Sequence, residues 1–243
     1  MPIHSKTYTE SKPENVIHKT RLGRLLNLLT SLPRSEHGTW ADFGCSDGFI
    51  LELVRSKIVS KEWKLYGFDF VDSLLELARQ RKIENAEFIK YDLNAVPVPP
   101  KQRFDIVTCF ETMEHVGNYR NAIDHIVSHV SSKGWLVISV PNETGLPGLI
   151  KFLGRLVLRK NPYGEFFRNN SIIVYVTALI CYRDIEEFRS SEVTEWSVHL
   201  GFNYRKLYQY IEAQYVHTDT LILRRKESSF FGFNKIFVFQ KIK

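Results

Sequence analysis

A chain of 243 residues with 44% hydrophobic content is long enough for one α/β domain with a large core and an added segment. Three cysteines at unrelated spacings, Cys45, Cys109 and Cys181, supply neither a disulfide framework nor a metal-ligand pair, so buried thiols in a reducing cytoplasm are expected. The formal net charge of +6 favours an anionic partner such as phosphate, a membrane surface or nucleic acid without choosing among them, and a solvated basic face explains it as well.

The opening Met1-Pro2-Ile3-His4-Ser5-Lys6 lacks the apolar core of a secretory signal. Residues 11–32 then read as a helix, with Leu22, Leu25, Leu26 and Leu29 on one face and Pro33 closing it. From there strands and helices alternate. Strands are expected at 40–43, 63–68, 87–90, 104–110 and 135–140, and helices at 48–56, 72–81 and 119–130. Pro97-Val98-Pro99-Pro100 can only be loop. Such alternation implies a parallel sheet with right-handed crossovers. After Pro141 the rhythm breaks, and residues 142–200 read as a helical insertion. Its longest apolar run, Ile172 to Tyr182, is too short to span a bilayer. The sheet resumes at 216–223, followed by a basic turn, Arg224-Arg225-Lys226, and an antiparallel strand at 235–240.

Ligands of open α/β sheets bind beyond the carboxyl ends of the strands. Those ends carry Asp42, Gly44, Ser46 and Gly48 after the first strand, and Asp69 and Phe70 after the second. Asp92 and Leu93 follow the third, and Phe110, Glu111, Glu114 and His115 the fourth. Asp69 stands at the distance past the glycine turn at which a carboxylate takes a ribose diol. A ligand touching all four ends would have a ribose, a flat base and a charged end. A dinucleotide needs a Gly-x-Gly-x-x-Gly turn, whereas this turn reads Gly44-Cys45-Ser46-Asp47-Gly48 and sets Asp47 beside the pyrophosphate. An ammonium or sulfonium ligand is favoured instead.

Asp42-x-Gly44-Cys45-x-x-Gly48 resembles the first motif of the class I S-adenosylmethionine-dependent methyltransferases. Asp69 in Tyr66-Gly67-Phe68-Asp69 resembles that family's ribose acid, and Asp92 in Tyr91-Asp92-Leu93 the acid near the adenine amino group. Phe104-Asp105-Ile106-Val107, Glu111-x-x-Glu114-His115-Val116 and Lys133-Gly134-Trp135-Leu136 through Pro141 are similar to its later motifs. The resemblance covers about Trp40 to Pro141 and the final hairpin. It implies a Rossmann-like, doubly wound, seven-stranded α/β sheet, mostly parallel with an antiparallel last strand and a helical insertion after strand five. Residues 1–38 would form an N-terminal helical segment and 39–243 the catalytic domain, with 142–200 an acceptor-side lid. The resemblance further implies S-adenosyl-L-methionine as cofactor, held by Asp42, Gly44, Ser46, Gly48, Asp69, Phe70, Asp92, Leu93, Phe110 and Glu111. Ser46 departs from the pattern, which has glycine there; a positive φ at a serine costs of order 1 kcal/mol.

Methyl transfer from a sulfonium to oxygen gains from a general base. His115 is one candidate, although Glu114-His115 can equally cap a loop or orient the cofactor. His199 is the other, and a surface histidine at a helix end explains it nearly as well. No helical metal-ligand spacing appears, so no metal is indicated. Residues 145–160 hold no acidic side chain; Leu149, Phe152, Leu153, Leu156 and Val157 share one helical face, and Lys151, Arg155 and Arg159 form a stripe elsewhere. Such a helix is either a lid or a peripheral membrane contact.

The core is also similar to the ubiquinone-biosynthesis O-methyltransferases, and Trp196 to Leu207 resembles enzymes of bacterial glycan and lipid-linked precursor pathways. These likenesses point to O-methylation of a small molecule or such a precursor, and a cytoplasmic enzyme is expected, with peripheral membrane contact only if residues 145–160 are a membrane helix rather than a lid. A nucleic-acid methyltransferase is disfavoured because no Asn/Asp-Pro-Pro-Tyr/Phe segment occurs. A non-catalytic binding module is disfavoured by the intact acids at strands two and three.

Overall fold

The computed structural model describes residues 5, 15–157, 171–189, 201–228 and 232–242. Helix α1 (Asn15–Ser31) precedes five strands and three helices: β1 (Thr39–Phe43), α2 (Phe49–Lys57), β2 (Lys64–Asp69), α3 (Asp72–Gln80), β3 (Ala86–Lys90), β4 (Phe104–Phe110), α4 (Tyr119–Ser128) and β5 (Val130–Pro141). Then come α5 (Gly145–Val157), α6 (Ile172–Ile180), a 3-10 turn (Glu186–Phe188), α7 (Tyr204–Ile211), a π turn (Glu212–Val216), β6 (Leu221–Ser228) and β7 (Asn234–Lys241).

The strand order is β3-β2-β1-β4-β5-β7-β6. Neighbours from β3 through β5 pair in parallel, while β7 lies antiparallel between β5 and β6. Winding reverses between β1 and β4, so the carboxyl ends of those two strands flank the switch point where such sheets leave a crevice.

Strand residues alternate between two cores. Trp40, Leu65, Ile106, Val137 and Val238 face α1 and α2, where Leu25, Leu29, Leu51 and Val54 meet them. Ala41, Phe43, Val107, Leu136 and Phe237 face the other way, onto Ile123 and Ile126 of α4 and Leu207 and Ile211 of α7. Helix α1 joins the first core through Leu25, Leu28 and Leu29, with Leu32 buried just past its end. The insertion builds a third, separate cluster from Phe152, Tyr175, Leu179, Ile185 and Phe188.

Three expectations are corrected. The strand expected at 216–223 starts at Leu221, because the chain first extends α7 through the π turn. Arg224, Arg225 and Lys226 lie inside β6 rather than in a turn. As the sheet's edge strand, β6 accommodates such charge: Arg224 donates to Gln240 Oε1 (3.0 and 2.8 Å) and Lys226 lies 4.2 Å from the Tyr208 ring centroid. Cys181 is exposed, unlike Cys45 and Cys109, because it caps the outer end of α6.

Candidate active site

The turn between β1 and α2 is fastened to the end of β2. The Gly44 and Cys45 N–H groups both donate to the Phe68 carbonyl, at 2.7 and 3.0 Å. Gly44 has φ of 77°, and a Cβ there would sit 2.0 Å from Thr112 Oγ1, so only glycine lets the turn pass the segment after β4. Ser46 is also left-handed, with φ of 50°. It therefore carries the strain that glycine would avoid, and its N–H donates to Asp69 Oδ2 at 2.8 Å. Its buried hydroxyl has no hydrogen-bond partner.

Asp42, next to last in β1, is buried, with Oδ1 accepting from Thr108 Oγ1 at 2.7 Å. Burial pushes its carboxyl up to about 7, against the pull of the Thr108 hydrogen bond and with the Asp69 charge adding to the rise. Asp69 is raised for the same first reason, opposed by hydrogen bonds from the Val71, Ser46 and Phe70 backbone. Two buried carboxylates thus face one turn, a setting that favours a cationic ligand.

Asp47 does not act as the sequence suggests. Its Oδ2 pairs with Arg81 Nη2 at 2.6 Å, while Arg81 Nη1 takes Glu52 Oε2 at 2.5 Å, so its charge is neutralised from α3's end. The case against a pyrophosphate rests instead on the turn's N–H groups. Those of Gly44 and Cys45 are spent on Phe68, that of Gly48 on the Cys45 carbonyl and that of Ser46 on a carboxylate. Asp47 Oδ1, like Ser46 Oγ, is buried with no hydrogen-bond partner.

Beyond β2, the Phe70 ring is half exposed, 5.6 Å from Lys90 Nζ. Beyond β3, Asp92 Oδ1 accepts from the Asn94 N–H at 2.8 Å, and Leu93 is buried beneath. Asn94 Oδ1 in turn accepts from the Gly117 N–H at 2.7 Å, tying this loop to the one after β4. Tyr91 and His125 prop it from below, with His125 Nε2 2.9 Å from the Ala95 carbonyl and Nδ1 2.6 Å from the Tyr91 hydroxyl.

Phe110 is buried at the end of β4, and Glu111 follows with φ of 50°. Glu111 is a junction of four elements: Arg21 Nη1 of α1 pairs with Oε2 at 2.6 Å, Asn234 Nδ2 of β7 donates to Oε2 at 2.9 Å and Ser139 Oγ of β5 to Oε1 at 2.9 Å. Glu114 is buried, and burial reinforced by the Glu111 charge pushes its carboxyl well up. His115 is part-exposed, with Nε2 4.0 Å from Glu114 Oε1. His199 lies outside the described residues.

In the insertion, Glu143 is buried and gathers two basic side chains. Lys151 Nζ reaches Oε1 at 3.1 Å, and Arg155 bonds Oε1 and Oε2 at 2.9 and 3.0 Å. The expected basic stripe is therefore turned inward at these two positions, and Arg159 lies outside the described residues. The expected single apolar face also divides: Phe152 packs inward, while Leu153, Leu156 and Val157 stay exposed. Arg21 and Arg81 escape sequence reasoning because their partners lie 90 and 34 residues away, with no local signal to link them; Arg189 can be read from the sequence as an acceptor-binding or helix-surface charge, but not its grip on the carbonyls 73 to 76 residues away.

The Asp42 carboxyl binds its proton more tightly folded than unfolded, so it weakens the fold as pH rises from about 4 to about 7, by up to roughly 4 kcal/mol. Urea midpoints of the ligand-free protein are expected to fall across that window, and Asp42→Asn, which keeps an acceptor for Thr108, to flatten the fall. Parallel decline of wild type and variant would contradict this.

The comparisons agree on the family. A family model described as a methyltransferase domain matches residues 17–202. The ubiquinone biosynthesis O-methyltransferase of Nitrosomonas europaea is 27% identical over 160 residues, covering 64% of this chain and 65% of that protein. The mitochondrial enzyme of that name in Candida albicans is 33% identical over 132 residues, 52% of this chain and 39% of its own length. The chain thus spans about two fifths to two thirds of the length of these curated relatives. Among solved structures, magnesium protoporphyrin IX methyltransferase from Synechocystis PCC 6803, with bound SAH, superposes with a TM-score of 0.60 at 14% identity, covering 98% of this chain and 92% of that one. With its motif order, its sheet topology and a family match over most of its length, the chain belongs to the class I S-adenosylmethionine-dependent methyltransferase-domain family.

Proposed function

We propose that the protein transfers a methyl group from S-adenosylmethionine to an oxygen of a small-molecule acceptor. The observation that carries this reading is the placement of Asp42, Asp69 and Asp92 at the carboxyl ends of β1, β2 and β3, around a turn whose Gly44, Cys45, Ser46 and Gly48 N–H groups are already engaged. The residues present fit the cofactor. Ser46 Oγ and Asp47 Oδ1 are buried acceptors with no protein partner, and buried carboxylates raised toward neutrality gain from a nearby sulfonium and ammonium. In this reading Asp69 takes the ribose hydroxyls, Asp92 the adenine amino group, and Phe70 and Leu93 the faces of the base. Gly44, Ser46, Gly48, Asp42, Phe110 and Glu111 surround the methionine end.

The bound cofactor supplies a methyl group already activated for in-line displacement. The chain's own work is alignment and exclusion of water, with the segment after β4 forming the wall nearest the acceptor. His115, part-exposed in that segment, receives the hydroxyl proton as the new O–CH3 bond forms. Oxygen as acceptor atom rests on the names of the relatives. Residues 39–243 form the catalytic domain in this reading, with 142–200 the acceptor-side insertion, and the free thiols suit a cytoplasmic setting. Calorimetry is expected to detect S-adenosylhomocysteine binding by wild type and a loss of about 1–3 kcal/mol in Asp69→Ala. Unchanged affinity in that variant would remove Asp69 from the site.

A second reading concerns membranes and a lipid-linked acceptor. No described helix is long and apolar enough to cross a bilayer. Yet α5 and α6 expose Leu146, Ile150, Leu153, Val157, Ile172 and Ile173, the last 77% accessible. A packed helix pair that keeps such side chains outside its own core suits peripheral insertion. Because Lys151 and Arg155 are paired with Glu143, the contact is apolar rather than electrostatic. Sedimentation with zwitterionic phosphatidylcholine vesicles should therefore survive high salt and disappear in a Leu153→Ser, Val157→Ser, Ile173→Ser variant. A wild type that stays in the supernatant disposes of membrane contact.

A further inference from the structure

Arg189 ends the described part of the insertion, just after the 3-10 turn. Its guanidinium lies 5.4 Å from the ring centroids of both Tyr119 and Phe202. Nη2 donates to the Val116 carbonyl and lies 3.4 and 3.5 Å from the carbonyls of Met113 and Glu114. It thus grips the segment that carries His115, from the insertion side. Nη1 is enclosed and has no hydrogen-bond partner. Among the described residues no carboxylate forms an ion pair with it. Glu186, nearby, accepts from the Tyr119 hydroxyl at 2.7 Å, and Glu186 and Glu114 act on Arg189 only through their field.

A clamp between insertion and loop would explain Nη2 and the stacked rings. It leaves Nη1 and the net charge unexplained. A guanidinium cannot shed its proton as a buried lysine does, so an enclosed arginine without a counter-ion keeps an unmet demand for an anion. Carbonyl dipoles satisfy one edge of the group only. Arg189 as a whole is partly buried, so Nη1 is the enclosed end of a side chain that solvent still reaches elsewhere.

We propose that Arg189 Nη1 binds a carboxylate on the methyl acceptor, making the substrate a hydroxy acid held between the insertion and the loop that bears His115. This rests on the methyltransferase reading and adds to it the acceptor's charge. The hydroxyl would lie toward His115 and the carboxylate toward Arg189, so both ends of the acceptor are fixed across the β4 end.

The test uses benzoate and its neutral counterpart benzamide, titrated calorimetrically into the protein saturated with S-adenosylhomocysteine. Benzoate is expected to bind wild type about tenfold more tightly, the gain of one charge-assisted hydrogen bond. Arg189→Gln should bring the two ligands to similar affinity while leaving S-adenosylhomocysteine binding intact, and Arg189→Lys should retain part of the preference. Equal affinity for the two ligands in wild type overturns the proposal even if the glutamine variant fails to fold. So does a glutamine variant that merely melts earlier and keeps the preference, the outcome for a purely structural clamp. Failure of wild type to bind S-adenosylhomocysteine would instead strike the methyltransferase reading.

Discussion

The hydrogen bond from the Ser46 N–H to the Asp69 carboxylate, 2.8 Å long, is the constraint on which the site depends. It joins the turn after β1 to the end of β2, and it requires Ser46 to hold a left-handed backbone that a serine adopts at a cost. Gly44 and Cys45 reinforce it by sharing the Phe68 carbonyl. With the N–H groups of Gly44, Cys45, Ser46 and Gly48 so committed, the turn presents chiefly side-chain oxygens to a ligand. That arrangement is poor for a pyrophosphate and suits a cationic group.

A second strained residue, Glu111, organises the opposite wall. Arg21, Ser139 and Asn234 converge on its carboxylate from α1, β5 and β7. The N-terminal helix therefore contributes to the site through Arg21 as well as to the core through Leu25 and Leu29. The insertion takes hold in the same manner. Glu143 binds Lys151 and Arg155 at its root, and Arg189 grips the loop carbonyls at its far end. The segment after β4 and the insertion, which has a small apolar cluster of its own, are thus located by paired charges and backbone bonds.

Hydrophobic patterning located the central strands to within one residue except β5, which begins at Val130 rather than 135, because buried strands such as Phe104–Phe110 are predominantly apolar. Candidate ligand residues were legible for a similar reason: chain order and strand ends place Asp42, Asp69 and Asp92 without any knowledge of packing. What failed was long-range charge pairing. Asp47 looked like a free anion until Arg81 met it, and Lys151 and Arg155 looked like a solvent-facing stripe until Glu143 drew them inward. The start of β6 was misplaced because the π turn after α7 has no sequence signature, and its basic residues imitate a turn.

Hydrogen–deuterium exchange with and without S-adenosylhomocysteine tests the central claim most directly, since it reads binding at every backbone segment at once. Protection is expected to concentrate at residues 42–48, 69–71 and 92–95 and in the segment after β4, with β6 and the outer face of α6 unchanged. Binding without protection at 42–48 and 69–71, or protection confined to another surface, would contradict a cofactor cradle built on the ends of β1 and β2.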